Sequence, residues 1–234
     1  SAVGVDQEAG DTITVTGLRI DVDTAVSLNE ANIITTLAAN VADGSNAFTF
    51  KDNDTLIIGT VDGTVGVSTN ASNVTINLNA GDLTQTAGAI FKGSGLELDA
   101  PGSITLNEAN AITTLAANVS GSGNAFQFTD ADGFSTGTVG SIKGVSTVNG
   151  AITLTATLGN LTVGDAGALN DVFSGTGIIT LTASEDEATI QIATDADVET
   201  SRNDTSTDGL IITSDKIDID GTITASNTIV KIQP

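Results

Sequence analysis

The chain of 234 residues contains no cysteine, histidine, methionine, tryptophan or tyrosine. Without cysteine and histidine there is no thiolate nucleophile, no imidazole base, and neither of the common soft ligands for transition metals. No disulfide can form, so stability must come from packing and backbone hydrogen bonds; this absence does not exclude export. Basic residues are also scarce. Seven lysines and arginines face 29 acids, for a net charge of −22. Such a surface repels nucleic-acid phosphates and anionic headgroups, so neither nucleic acid nor membrane insertion is an expected partner. It favours weak binding of hard cations such as calcium. No apolar run approaches the ~18 residues of a membrane helix. No signal peptide and no initiator methionine are visible, which suggests a processed form or a piece of a longer chain.

What is present is a vocabulary of strands and turns. Hydrophobic residues make up 39% and charged residues 15%, too apolar for a disordered acidic tail. The apolar residues are Ala, Val, Ile and Leu, and the polar ones Thr, Asn, Ser, Gly and Asp. β-Branched residues suit pleated strands, and Gly, Asn and Asp suit tight corners. Only Pro101 and Pro234 could interrupt a ladder.

The chain also repeats itself. LNEANIITTLAANVADGSNAF from Leu28 returns as LNEANAITTLAANVSGSGNAF from Leu106. The same offset of 78 carries GLRIDVDTAVSLNEAN from Gly17 onto GLELDAPGSITLNEAN from Gly95. It also carries GTVDGTVGVST from Gly59 onto GTVGSIKGVST from Gly137. Gly17–Thr84 maps without a gap onto Gly95–Thr162; beyond Thr162 the register slips. The division is a single solenoid over 1–234, with repeats at 17–94 and 95–176 and a divergent unit at 177–234.

Within the repeat, apolar pairs recur at Leu18/Ile20, Leu37, Leu56/Ile58, Ile76/Leu78 and Leu96/Leu98, in steps of 19 or 20. That step suits one coil of a parallel β-solenoid, with three short strands and three corners. Alternation in TITV, NVTINL, AITLTA and TIQIAT supports strands. Four steps per repeat imply about 12 coils and a rod of roughly 55–60 Å at the ~4.8 Å spacing of stacked strands. LNEANIITTLAANV places Leu28, Ile34, Leu37 and Val41 near one helical face, but its Thr-Thr pair and β-branched content favour a strand. Asn40 and Asn118, and Asn46 and Asn124, are expected to stack along the ladder or to occupy corners. The fold class expected is all-β, a right-handed parallel β-helix (β-solenoid) whose coils follow that step.

With its GVST, NGAITLTA and GNLTV continuation, the LNEAN motif resembles the repeats of large bacterial surface adhesins of the filamentous-haemagglutinin and autotransporter type. The resemblance covers about Gly17–Ala183. It implies a right-handed β-helix rod outside a Gram-negative cell, acting in adhesion, aggregation or biofilm. Chains of that family are typically far longer than this one.

Acids occur in i, i+2 pairs, among them Asp52/Asp54 and Asp130/Asp132. DADG at Asp130–Gly133 shares the start of a calcium loop but not its distal glutamate. Turn chemistry accounts for such pairs without a metal; if calcium binds, Asp130 and Asp132 are the candidates, with Asp52 and Asp54 as their repeat equivalents. No organic cofactor is indicated. A sugar-cleaving β-helix would need clustered Asp with an Arg or Lys on one face, and Arg19 and Arg202 lie far apart in sequence, neither near a distinctive acid motif. The expectation is therefore a non-enzymatic, extracellular rod or the subunit of a homopolymeric filament, self-associating end to end. Surface glycans and host surfaces are the further partners to consider. Two alternatives stand beside it: a polysaccharide-binding or polysaccharide-degrading β-helix, and a β-sandwich pilin-like subunit joined by donor strands.

Overall fold

A computed structural model describes residues 4–164 and 171–234. The described residues are all strand, turn and loop, with no helix. Parallel strands stack into a β-solenoid of about nine turns. Parallel pairing throughout the stack excludes the β-sandwich alternative. The only antiparallel pairs among the described residues are two small hairpins, Thr60–Val61 with Thr64–Val65 and Thr138–Val139 with Ile142–Lys143. LNEANIITTLAANV lies wholly within the strand Val26–Val41, and its repeat within the strand Ile104–Val119.

Alternation drives this architecture. In Phe48–Asp52, Val74–Leu78, Phe126–Asp130, Ile152–Ala156 and Ile179–Ala183 every second side chain is buried. Stacking then aligns like with like. One inward column runs Val5, Val26, Phe48, Val74, Leu96, Leu115; another runs Leu56, Leu83, Ile104, Phe126, Ile152, Ile179, Leu210. Phe48, Phe50, Phe91, Phe126, Phe128 and Phe134 are all buried, and the Phe128 and Phe134 rings meet edge to face at 5.2 Å. Burying aromatic rings in a chain this poor in them concentrates their large apolar area where it stabilises most.

Most coils are longer than the sequence step suggests. Leu18 does stack on Leu37, as that step requires. Leu56, however, stacks on Leu83, and Ile179 on Leu210, so later coils take in more chain. The step from Leu56 to Ile76 is not a ladder step, because Ile76 stacks on Phe50 and under Leu98. Longer coils reduce the count from 12 to about nine, and the rod to roughly 40–45 Å at ~4.8 Å per coil.

The repeat therefore holds three coils and one further strand. Three ladder steps carry Val26 through Phe48 and Val74 to Leu96. The repeat equivalent of Val26 is not Leu96 but Ile104, on the next strand, and it sits on the neighbouring column above Leu83. The second copy is thus displaced by one face of the coil relative to the first. Val26–Phe48–Val74 and Ile104–Phe126–Ile152 are the same ladder written on two different faces.

Candidate functional site

The most conspicuous polar constellation lies inside the repeated motif. The strand Ile104–Val119 pairs Leu106 with Phe128 and then Asn110 with Asp130, so it spends extra chain over that interval and Asn107–Ala109 bulge outward. Asn110 then points into the core and is fully buried. Its Oδ1 accepts from the backbone N–H of Phe91 (2.8 Å) and from Gln85 Nε2 (2.7 Å). Its Nδ2 donates to the carbonyls of Thr129 (2.9 Å), Glu108 (3.0 Å) and Leu106 (3.2 Å). In the first copy Asn32 repeats this: Oδ1 accepts from Ile13 N–H (2.8 Å) and Gln7 Nε2 (2.7 Å), and Nδ2 donates to the carbonyls of Lys51 and Glu30. One side chain thus bonds to the coil before it and the coil after it. Such bonds satisfy backbone groups that the bulge has taken off the ladder.

Gln7 and Gln85 stand at the same offset as the two copies of the motif. The repeat therefore reaches back beyond Gly17, to Val5 aligned with Leu83. The glutamine, not visible as a partner in the sequence, was marked only by this spacing.

Asp52 and Asp130 complete the two constellations. Both are fully buried. Asp52 Oδ1 accepts from Ile34 N–H (3.0 Å) and Oδ2 from Asp54 N–H (3.2 Å). Asp130 accepts from Ile112 N–H (3.1 Å) and Asp132 N–H (3.0 Å). Loss of hydration on burial pushes both carboxyls up to about 6, against the pull of these backbone N–H groups. Asp54 is exposed at the turn that follows, and Asp132 stands at the equivalent turn of the second copy. The inner acid of each pair is engaged with backbone at the bulge. Among the described residues no group of three or more acids is gathered so that it could hold a metal ion.

The asparagines marked for stacking do bond along the axis, chiefly to aspartate and backbone rather than to each other. Asn40 Nδ2 donates to Asp21 Oδ1 (3.0 Å) and Asn118 Nδ2 to Asp99 Oδ1 (2.9 Å). Asn46 donates to the Asp23 carbonyl and Asn124 to that of Pro101.

A second feature is the pair of hairpins, which stand at equivalent places in the two copies. Each rests on a glycine of the GL motif: a Cβ at Gly95 would sit 2.9 Å from Val139 Cγ1, and one at Gly17 3.2 Å from Val61 Cγ1. The charges beneath them are exchanged. Under the first hairpin Arg19 bonds Asp62 (3.2 Å), Thr64 (2.8 Å) and Asp21 (2.8 Å). Under the second, Glu97 accepts from Ser141 N–H (2.9 Å) and Ser141 Oγ (3.1 Å). The hydrogen bond from Asn40 and then the Arg19 guanidinium hold the Asp21 carboxyl below its ordinary range. A shallow hollow opens beside Arg19 and Asp21. Arg202 sits in a loop of its own, where it bonds Thr207 and pairs with Asp204.

Fold and site together define a class: an acidic, internally duplicated parallel β-solenoid whose polar core groups clamp coil to coil. No family model, no curated protein and no solved structure matches the chain.

Proposed function

We propose that this chain is a non-enzymatic structural rod of adhesin type, displayed at a bacterial cell surface, and that copies of it join end to end into a filament. The observation that carries this reading is the cross-section at each end of the coil stack. Inward positions that are buried in the middle coils are open there: Val15 (42% exposed) at one end, Ile219, Val230 and Ile232 (43%, 40% and 55%) at the other. Among the described residues, strands Lys216–Ile219, Thr222–Ala225 and Ile229–Gln233 each bond to a preceding coil on one side only. A parallel edge over an apolar cross-section takes up a further coil, from the same chain or from a second copy, and end-to-end joining is the second of these. Adhesion, aggregation and biofilm formation are the roles that the adhesin resemblance supplies. Negative-stain electron microscopy of the purified chain tests the reading: filaments with an axial repeat near the ~40–45 Å rod length support it. Isolated particles at every concentration count against it.

A second reading follows from the hollow at Arg19. It places an Arg with Asp21 and exposed Asp62, the grouping that a polysaccharide-binding β-helix needs. Acidic or neutral glycans retained by the wild type and lost in Arg19→Ala would favour it. Calcium at Asp130/Asp132 and Asp52/Asp54 is tested by melting in calcium and in EDTA; identical melts dispose of it.

A further inference from the structure

The molecule already contains one junction between copies of the repeat. The start of the second copy rests on strands of the first: Leu83 stacks on Leu56, Phe91 on Val67, and Leu96 and Leu98 on Val74 and Ile76. Each of these side chains is 1% exposed or less. The seam is thus a closed apolar contact, in which the opening coil of one repeat covers the coil 56–78 of the other. The same opening coil occurs at the start of the first copy. At the offset of 78, Val5, Ile13, Leu18 and Ile20 stand where Leu83, Phe91, Leu96 and Leu98 stand. On one side the strands Val5–Asp6 and Thr14–Val22 bond to Val26–Val41, as their equivalents bond to Ile104–Val119. On the other side no described strand covers them, and Val5, Ile13 and Leu18 stay half-buried.

The opposite end of the stack carries the ladders that this coil rests on at the seam. Leu56, Val67, Val74 and Ile76 have the repeat equivalents Phe134, Val145, Ile152 and Leu154. From Phe134 a ladder runs through Leu161 and Ile190 to Ile217. From Val145 a second runs through Val172 and Val198 to Ile223. From Ile152 and Leu154 a third runs through Ile179/Leu181 and Leu210/Ile212 to Val230 and Ile232. Each ladder ends on inward residues that are only partly covered: Ile217 and Ile223 are half-buried, and Val230 and Ile232 are exposed. Around the coil these ends follow the same order as Val5, Ile13 and Leu18/Ile20.

We propose that a second copy of this chain joins the first head to tail in the register of the internal seam, with Val5 on Ile217, Ile13 on Ile223, Leu18 on Val230 and Ile20 on Ile232. The proposal rests on the end-to-end reading above and adds to it the polarity, the register and the residues that meet. A second copy is the occupant because the seam shows this very coil seated on these very ladders. The contact pairs two different surfaces, so it does not close on itself and continues from copy to copy.

The register also fixes which outward residues meet. One residue along from the apolar pairs, Asp6 falls on Asp218, Thr14 on Thr224 and Arg19 on Lys231. Like charges directly opposite each other weaken a ladder. The apolar columns and the backbone edges therefore hold the joint, and the Asp6–Asp218 and Arg19–Lys231 contacts oppose it.

The test uses the whole chain, which has no cysteine of its own, so introduced thiols report on the joint alone. Thr14, Thr222 and Thr224 are exposed, and melting curves establish that each variant is folded. Stacked positions lie about 4.8 Å apart, within reach of a disulfide, whereas a slip of two residues opens the distance to about 8 Å. T14C is mixed with T224C, and separately with T222C, and oxidised. The expected result is disulfide-linked dimers from T14C with T224C, and only background linkage from T14C with T222C or from either variant alone. Charge gives a second readout. D218K sets opposite charges face to face and is expected to form filaments at lower salt than the wild type. D6K/D218K restores a like pair and is expected to return to the wild-type salt requirement. If D6K/D218K instead assembles more readily than D218K, general charge and not register governs, and the proposal is overturned. Filaments in which T14C links to itself, or does not link to T224C, overturn it and leave the end-to-end reading standing. Single chains at every concentration and salt overturn both.

Discussion

The residues that matter most are the buried amides of LNEAN. Replacing Asn110 by alanine leaves the Phe91 N–H and the carbonyls of Leu106 and Thr129 without the partner they have now. Each buried group left unpaired costs about 1–3 kcal/mol. Asn110→Ala is expected to lower the melting temperature strongly, whereas Asn107→Ala, on the exposed bulge, is expected to change it little. Differential scanning calorimetry of the two variants distinguishes them. The buried acids act through pH. Folding raises Asp52 and Asp130 from 3.8 to about 6, so the folded chain binds these protons more tightly than the unfolded chain. Their contribution is therefore most favourable below about pH 4 and is lost as pH rises through 6. The wild type is expected to gain stability on going from pH 7 to pH 5 by more than Asp52→Asn/Asp130→Asn does. Equal gains in the two proteins would assign the effect to relief of general charge repulsion alone. Neither role was legible from composition. Asn and Asp read as corner residues because that is where most of them occur, and a buried Asn is recognisable only once its coil-to-coil partners are known. The glutamine pair at 7 and 85 carried that information as spacing.

At the scale of elements, alternation made the strands legible, and the duplication made the solenoid legible. The coil length was not. Strands on adjacent faces share one inside–outside pattern, so Ile76 looks like the next step after Leu56 although Leu83 is the residue that stacks on it. The hairpins lengthen the coil at that point: Ala39 meets Val67 only after the chain has gone round the Thr60–Val65 excursion. Exit from each hairpin depends on a glycine in the left-handed region, Gly66 (φ 72°) and Gly144 (φ 61°). A Cβ at Gly144 would meet the Asp171 carbonyl, and one at Gly66 that of Ile90. Gly144→Ala is accordingly expected to cost more than the ~1–2 kcal/mol of the left-handed conformation alone, because a steric conflict with backbone adds to it. Limited proteolysis should then cut near 138–144 in the variant at protease levels that spare the wild type. An unchanged digestion pattern would show that the hairpin tolerates the shift.

At the scale of the whole molecule, the distribution of charge decides how rods would meet. Asp6, Glu8, Asp11, Asp21 and Asp23 against Arg19 make the first coils acidic, and Asp208, Asp215, Asp218 and Asp220 outnumber Lys216 and Lys231 in the last. Two such ends repel across water, while the attraction between them comes from apolar area and backbone edges that salt does not screen. End-to-end assembly is therefore expected to strengthen with added salt. At low ionic strength the screening length is about 30 Å, comparable to the rod itself, and at 0.15 M it is about 8 Å, so that only charges at the junction still oppose contact. Light scattering across a sodium chloride titration should show growing particles, with electron microscopy confirming longer rods and not clumps. Ile232→Asp places a further charge in the open cross-section and is expected to keep the chain monomeric throughout the titration with its melting temperature nearly unchanged, since that side chain is more than half exposed already. Assembly that weakened as salt rose would mean that ion pairs make the junction. The apolar cross-section would then not be the surface that joins one rod to the next.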